Sequence, residues 1–352
     1  MRFINLIKKA EFISPGPTLK MQRKENFGNV VGGIFCIILI IMSLIGTTYF
    51  SNKLLNKQDP IVFSSERVEN NATSISMGNK DDMIILLGIE FPNFTYYKDP
   101  RIYTVDVTFS IMNIIDGEQH FESKTIEVDS CTKYYNSTKE IDFYFDIDLD
   151  IFYCIKPNEA TISGYFDSNF FTYLEINLKV CRNTTENSHC LSNEDISFYL
   201  ENGIISLYIT DHLIDIKNYN NPISKYYTDD WNRISLKLKQ QINILPNRVE
   251  FLTDSGFLLE DFSSHITYKL SPNRFIYIGR EEADDSFASV YMENTKYGTK
   301  YVRYYIKVQD VITKIGGRIK ALMIVAQFIT SYYSNWEYYY NLIKTTKKLI
   351  NS

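Results

Sequence analysis

The pattern of hydrophobic and polar positions divides the chain into an apolar segment near its start, a long alternating region and a mixed segment near its end. Residues 29–50 contain no charged side chain. A helix of this length rises about 33 Å at 1.5 Å per residue, enough to cross a hydrocarbon core of about 30 Å. Because 28 residues precede it, the segment predicts an uncleaved transmembrane helix rather than a signal peptide or a buried core helix.

Lysine and arginine are distributed unequally around this first apolar segment. Residues 1–28 carry six of them, whereas residues 51–65 carry two. Cytoplasmic flanks of membrane helices are enriched in these residues. The sequence therefore predicts a cytoplasmic N-terminal segment over 1–28 and a luminal or extracellular region that begins at residue 51.

Residues 319–343 predict a second membrane helix. The stretch 321–329 is apolar apart from Gln327, and an aromatic stretch and several lysines follow it. This order is typical of a hydrocarbon span, an interfacial belt and a cytoplasmic tail, here residues 344–352. The alternative is an amphipathic helix that lies on the outer membrane surface or packs on the outer domain.

Four polar residues interrupt this second segment: Gln327, Ser331, Asn335 and Glu337. They recur at roughly helical spacing, which predicts a polar stripe on one helix face. Such a stripe fits a pore lining, and it fits equally a polar face packed on a partner helix.

The region between the two apolar segments alternates apolar and polar side chains with a period of two, which predicts half-buried strands. The clearest runs are 141–151, 174–180, 234–239 and 302–308, and shorter ones are 83–91, 103–114, 204–209, 249–252 and 286–292. Residues 294–298 are predicted to form the turn of a late hairpin. The fold class predicted is a membrane-anchored, mainly-β protein: an antiparallel β-sandwich-like ectodomain over 51–313 between an N-terminal and a C-terminal transmembrane helix.

Sequons and cysteines agree with an oxidising outer compartment. Four Asn-x-Ser/Thr triplets lie between the apolar segments and predict glycosylation at Asn71, Asn93, Asn136 and Asn183. Four of the five cysteines lie in the same region and predict two disulfides. Three pairings are possible; we favour Cys131–Cys154 and Cys181–Cys190, because each closes a short loop.

Composition and motifs give no support for a catalytic, cofactor-binding or nucleic-acid-binding function. The net charge of −5 argues against a nucleic-acid-binding protein, which would present a basic face. No hydrolase, metalloprotease or nucleotide-binding motif occurs. The four histidines are far apart in the sequence. We therefore expect no enzymatic activity, no cofactor and no metal site.

One acidic run leaves calcium open as a partner. Asp142, Asp146, Asp148 and Asp150 alternate along a predicted strand, which would place them on one face. The run does not fit an EF-hand, because Ile151 and Pro157 stand where that loop needs glycine and glutamate. A solvated outer face that discourages edge pairing is the alternative interpretation.

Three short motifs carry a resemblance: Gly32-Gly33-Ile34 at the start of the first apolar helix, Asn56–Val62 with Ser64-Ser65, and Ile315–Met323 with Tyr339–Lys344. In these the chain resembles a large ciliate group of uncharacterised two-span membrane proteins. Its arrangement is also similar to that of the Erv41/Erv46-type early-secretory cargo receptors, and in topology to trimeric P2X and acid-sensing channels.

We expect a membrane protein of the secretory pathway or cell surface with both termini in the cytoplasm. Recognition or assembly, as a non-catalytic subunit of a larger membrane complex, is the function expected first. Membrane lipid and other membrane-protein subunits are the expected partners, and no nucleic acid. A secretory-pathway cargo receptor and an ion-channel subunit are the alternatives.

Overall fold

The computed structural model describes residues 30–68, 74–135, 147–183, 189–280 and 285–350. They form two compact units. A helical unit contains residues 30–61, 254–262 and 304–350, and a β unit contains residues 62–253 and 263–303.

The helical unit is built around two long helices. They are α1 (Val30–Leu55) and α4 (Val308–Ile350). Among the described residues, α1 is long and apolar enough to cross a membrane. The 43-residue α4 is also long enough, but its mixed composition does not mark it as a membrane span. The prediction of an apolar first helix is confirmed, whereas the second span stays a prediction.

The β unit carries nearly all the strands and two short helices, α2 (Cys131–Tyr134) and α3 (Asn193–Glu201). The strands are β1 (Ile61–Val68), β2 (Ile75–Ser76), β3 (Ile85–Glu90), β4 (Tyr96–Tyr97), β5 (Tyr103–Ile115), β6 (Glu118–Ile126), β7 (Val128–Ser130), β8 (Tyr153–Ile155), β9 (Thr161–Ile162), β10 (Phe170–Val180), β11 (Ile204–Ile214), β12 (Ile223–Arg233), β13 (Leu238–Ile244), β14 (Pro246–Asp254), β15 (Phe262–Leu270), β16 (Arg274–Gly279), β17 (Ser286–Met292) and β18 (Tyr297–Tyr304).

The strands form three larger sheets and a two-stranded one. Their orders are β1-β18-β14-β15, then β16-β13-β17-β10-β5-β6, then β12-β11-β3-β8-β7 with β4 paired to β3, and finally β2-β9. One hydrophobic cluster draws buried side chains from the second and third sheets, among them Leu174, Val290 and Leu207. Because residues of β10 alternate between the two faces of the sheet, its apolar side chains, including Leu174, lie in that shared core.

The β architecture confirms a mainly-β protein and corrects one part of the prediction. Most neighbouring strands run antiparallel, but β13 pairs with β17 in parallel, from Gln240 opposite Ala288 to Ile244 opposite Met292. The second sheet is therefore mixed. A parallel neighbour requires a crossover connection, and periodicity along one strand does not show which neighbour it takes.

Some individual strands were predicted correctly and others were not. The runs at 174–180 and 286–292 are strands β10 and β17. The strand predicted over 234–239 is wrong for residues 234–237, which connect β12 to β13, and right for residues 238 and 239, which begin β13. The hairpin predicted at 294–298 is also wrong: β17 and β18 belong to different sheets.

The part of the acidic run that the structure describes, from residue 147 onward, is not a strand. Asp148 accepts a hydrogen bond from the Asp150 N–H and caps a 3₁₀ helix at Leu149–Ile151. Aspartate favours such caps because its short side chain reaches the free N–H groups. Asp142 and Asp146 lie outside the described residues. Within the described ranges, no group of three His, Cys, Asp or Glu side chains could hold a metal ion.

Both disulfides have the predicted pairing, Cys131–Cys154 and Cys181–Cys190. The first lies in a second core cluster with Phe152 and Tyr208, and the second joins the end of β10 to the approach of α3. Loops of 23 and 9 residues' separation correspond to about 3 kcal/mol of stabilisation each in the loop-entropy model.

Arg303 on β18 is the largest fully buried side chain described in the β unit. Its guanidinium donates to the hydroxyl of Thr253 at 2.8 Å and to three carbonyl oxygens of the β11–β12 connection, those of Ile216, Asn218 and Tyr219, at 3.2, 2.7 and 3.0 Å. The ring of Phe251 lies 4.7 Å from the guanidinium carbon. One side chain thus ties the first sheet to a loop of the third.

Candidate functional site

Helices α1 and α4 pack side by side in antiparallel directions. Near the start of α1, Cys36 and Leu39 are buried against Ala326, with Met323 beside them. Near its end, Lys314 and Arg318 lie over the ring of Phe50, at 5.9 and 4.8 Å from the ring centre. As the chain advances along α1 its contacts on α4 move backwards, so the pairing extends at least from Cys36 to Phe50.

The predicted polar stripe divides into two parts on α4. Gln327, Ser331 and Asn335 line one concavity on the helix surface. Glu337 is not among the residues that line it. At 100° per residue, side chains four positions apart share a face, whereas Glu337 is rotated about 200° from Asn335. Gln327, Ser331 and Asn335 therefore share one helix face, and Glu337 does not belong to it.

A loop of residues 254–262, which we call the clamp loop, is fastened to the ends of both helices. The Lys57 ammonium, two residues beyond α1, donates to the Ser255 carbonyl at 2.8 Å. At the start of α4, the Val308 N–H donates to the Phe257 carbonyl at 2.9 Å and the Gln309 amide to the Leu258 carbonyl at 2.8 Å. The clamp loop thereby joins two helix ends that are about 250 residues apart in the sequence.

Asp254 of the clamp loop forms a charge cluster with two lysines next to the helix ends, Lys57 and Lys307. Asp254 is fully buried, its carboxylate accepts the N–H groups of Gly256 and Asp261 at 3.1 and 2.9 Å, and Lys307 lies 2.8 Å away. Lys57 is also buried, 4.0 Å from the ring centre of Phe257.

The pKa values follow from these contacts. Burial lowers the pKa of Lys57. Burial alone would raise the pKa of Asp254, but the hydrogen bonds from the Asp261 N–H and from Lys307 outweigh it and lower the value. The carboxylate therefore stays ionised, pairs with Lys307 and acts through its charge on Lys57.

Two of the four predicted glycosylation asparagines, Asn93 and Asn183, are described, and both are exposed. The Asn93 side-chain oxygen accepts the hydroxyl of Thr95 at 2.6 Å, and that of Asn183 accepts the N–H of Cys190 at 2.9 Å. Asn71 and Asn136 lie outside the described residues. Glycosylation at all four positions stays a prediction.

The two edges of the second sheet differ in chemistry. Strands β6 and β16 both form edges, and every residue of β16 is exposed. The edge strand β6 carries Glu118, Glu122 and Lys124, charges that oppose edge-to-edge association. Strand β16 has a single charged residue, Arg274 at its start, and its four central residues Phe275, Ile276, Tyr277 and Ile278 are 41–58% exposed, so both faces of its centre are apolar.

His212 on β11 is a buried histidine whose protonation opposes folding. Its ring meets Tyr268 edge-on at 4.5 Å, and its Nδ1 has no hydrogen-bond partner within the described part of the chain. Burial, and then the neighbouring Lys225, lower its pKa, against the opposing charges of Asp211 and Asp82.

We expect acid to destabilise the β unit through His212. The unfolded chain binds a proton near the ordinary pKa of about 6.5, whereas the folded chain resists it, so stability falls as pH drops through and below that value. The melting temperature of His212→Gln should depend less on pH between 7.5 and 5.0 than that of the wild type. His120→Gln, at an exposed position of β6, should keep the wild-type pH dependence. Equal slopes for all three proteins would contradict the assignment.

These observations define a mainly-β protein with an apolar helix of membrane-spanning length. Residues 74–295 match the family described as the uncharacterised 80 kDa protein N-terminal domain. This is more than half of the chain, and the chain belongs to that family. The match runs from just before β2 to just after β17 and includes neither α1 nor α4. The expected resemblance to an uncharacterised family is thus met, while the ciliate group and the two-span arrangement form no part of the match.

Solved structures that resemble the chain include a proton-activated chloride channel and Erv41p. The first is 11% identical over 86% of this chain and 98% of that one, with a TM-score of 0.29. The second is 9% identical over 68% and 99%, with a TM-score of 0.24. No curated protein matches the chain. At these TM-scores neither likeness bears on the function.

Proposed function

We propose that this protein is a membrane-anchored, non-catalytic assembly subunit, and that its β unit associates with a second copy of the same chain through strand β16. The apolar, fully exposed edge of β16 is the observation that carries the proposal. An edge strand presents unpaired backbone groups, and soluble proteins normally protect such edges with charge, as β6 does here.

The sequence of β16 is self-complementary in an antiparallel pair. A two-fold register centred on Ile276 places Phe275 opposite Tyr277 of the second copy, which gives an aromatic cross-strand pair on one face. Ile276 meets its own copy on the other face. A second copy therefore covers the apolar side chains, and its own β16 supplies hydrogen-bond partners for the backbone N–H and C=O groups of this edge.

The packing of α4 on α1 supports a second membrane span. A helix that runs beside a transmembrane helix for 14 residues, about 21 Å, shares the bilayer with it. The contacts of Cys36 and Phe50 place about residues 314–333 of α4 opposite the apolar part of α1. Asn335 and Glu337 then lie near the cytoplasmic headgroups, where a carboxylate costs less than at mid-bilayer. Both termini are cytoplasmic in this arrangement, and the β unit is luminal or extracellular.

The β16 edge is tested by measuring the mass of the full-length protein in detergent by light scattering or mass photometry. We expect a dimer or a multiple of it. Ile276→Lys puts a charge at the centre of the pairing, and a loss of about 3 kcal/mol raises the dissociation constant about a hundredfold. Phe121→Lys makes the same kind of change on the other edge of the sheet, where Phe121 is 61% exposed, and should keep the wild-type mass.

A monomeric wild type, or an Ile276→Lys variant with unchanged mass and circular dichroism, would overturn the β16 assignment. A photo-crosslinker at Tyr277 identifies the neighbour directly. Crosslinks to another protein in the native membrane, with none between copies, would replace the second copy by a different subunit.

A further inference from the structure

An apolar cavity of about 490 Å³ lies between α1 and α4 within the helical unit. Its walls include Met42, Ile45 and Gly46 of α1, and Ile315, Arg318 and Leu322 of α4. Nothing lies within 4 Å of the position where Gly46 would carry a side chain, so the cavity opens at this glycine. The size falls in the range of small-molecule sites, which are mostly apolar with a few polar groups.

Arg318 brings a positive charge to this cavity. The antiparallel pairing sets its backbone level with about Gly46, yet its guanidinium lies 4.8 Å from the ring centre of Phe50, one turn nearer the outer end of α1. Long basic side chains in membrane helices reach in this way toward the headgroup region. Lys314 lies over the same ring at 5.9 Å. The outer rim of the cavity is therefore aromatic and cationic.

The helix segments that line the cavity offer no anion for this charge, and Asp310, one turn before Lys314, accepts the Lys307 N–H instead. Neither α1 nor residues 311–336 of α4 contain an aspartate or glutamate. Arg318 and Lys314 form no ion pair within the described part of the chain. A second copy packed here would bring the same acid-free segments and would leave the guanidinium without a counter-charge. A phospholipid brings an apolar chain for the cavity and a phosphate for the guanidinium, which binds phosphate through two parallel hydrogen bonds.

We propose that this cavity binds an anionic phospholipid of the outer leaflet, with one acyl chain between α1 and α4 and its phosphate on Arg318 and Lys314. The proposal rests on the membrane anchoring proposed above and is independent of the β16 contact. It assigns Gly46 as the position that leaves room for the acyl chain.

The test reconstitutes the full chain into nanodiscs with equal parts of phosphatidylcholine and phosphatidic acid and counts retained lipids by native mass spectrometry. We expect the wild type to retain phosphatidic acid at least tenfold more than phosphatidylcholine. Arg318→Gln should remove that preference, and Gly46→Leu should lower the retention of both lipids. Lys344→Gln, which changes an exposed lysine at the other end of α4, should leave the wild-type preference unchanged.

Three outcomes would overturn the site: equal retention of both lipids by the wild type, an unchanged preference in Arg318→Gln, or full competition by inorganic phosphate, which would indicate an anion site without the acyl chain. Loss of oligomers in Gly46→Leu with lipid retention intact would assign the cavity to a second helix instead. A chain that does not enter nanodiscs at all would count against membrane anchoring, which separates that failure from failure of the lipid site.

Discussion

Replacing Arg303 by methionine is expected to lower the free energy of unfolding of the β unit by about 4 kcal/mol. Methionine keeps much of the aliphatic volume beside Phe251 but removes every hydrogen bond to the β11–β12 connection. Each buried acceptor left without a donor costs about 1–3 kcal/mol. Urea or thermal unfolding followed by circular dichroism measures the loss.

Two variants separate the role of the guanidinium from that of charge alone. Arg303→Lys keeps the charge but cannot reach four acceptors in a plane, so an intermediate loss is expected. Arg233→Met, at an exposed position of β12, should change stability by less than about 0.5 kcal/mol. If Arg303→Met were no more destabilising than Arg233→Met, the tie between sheet and loop would not contribute to stability.

Asp254→Asn is expected to release the clamp loop. Asparagine has nearly the same shape and keeps an acceptor for the Gly256 and Asp261 N–H groups, but it leaves Lys57 and Lys307 buried without a counter-charge. Removal of one partner from a buried ion pair costs about 3–5 kcal/mol. Hydrogen exchange at Gly256 and Asp261 should therefore become at least a hundredfold faster, since each 1.4 kcal/mol corresponds to a factor of ten.

A double variant distinguishes charge from shape at the clamp loop. In Asp254→Asn with Lys307→Met, one of the unbalanced cations is gone, so exchange should return part of the way toward the wild-type rate. Glu260→Gln removes an exposed carboxylate from the same loop and should leave the exchange rates unchanged. An Asp254→Asn protein that exchanges as slowly as the wild type would show that the carboxylate does not hold the loop.

Local sequence patterns predicted those elements whose structure depends on residues close together in the chain. Alternation identified β10, whose apolar side chains are buried on one face, and the run at 286–292 identified β17, which is buried at six of its seven positions. The short loops between cysteines predicted both disulfide pairings. The uninterrupted apolar run predicted α1. In each case the deciding residues lie close together in the chain.

The features that carry the proposals depend on contacts between distant residues. Strand β16 lacks alternation, since its apolar side chains point to both faces, and only Pro272 and Asn273 before it and Gly279 at its end signalled a strand. Lys57, Asp254 and Lys307 meet across about 250 residues of sequence, and no spacing rule connects them. The same holds for Arg318 and Phe50, whose proximity depends on the antiparallel pairing of two helices from opposite ends of the chain.

The helical unit is assembled from three stretches of chain, 30–61, 254–262 and 304–350, and the β unit is encoded between them. During synthesis from the N-terminus, all strands through β17 leave the ribosome before α4 does, and domains generally fold as units in that order. In the membrane arrangement proposed above, the cavity side of α1 therefore has no partner until the last helix is synthesised. Chaperones that shield a solitary apolar helix should accordingly be recovered on nascent chains that end before residue 304 and be released from longer ones.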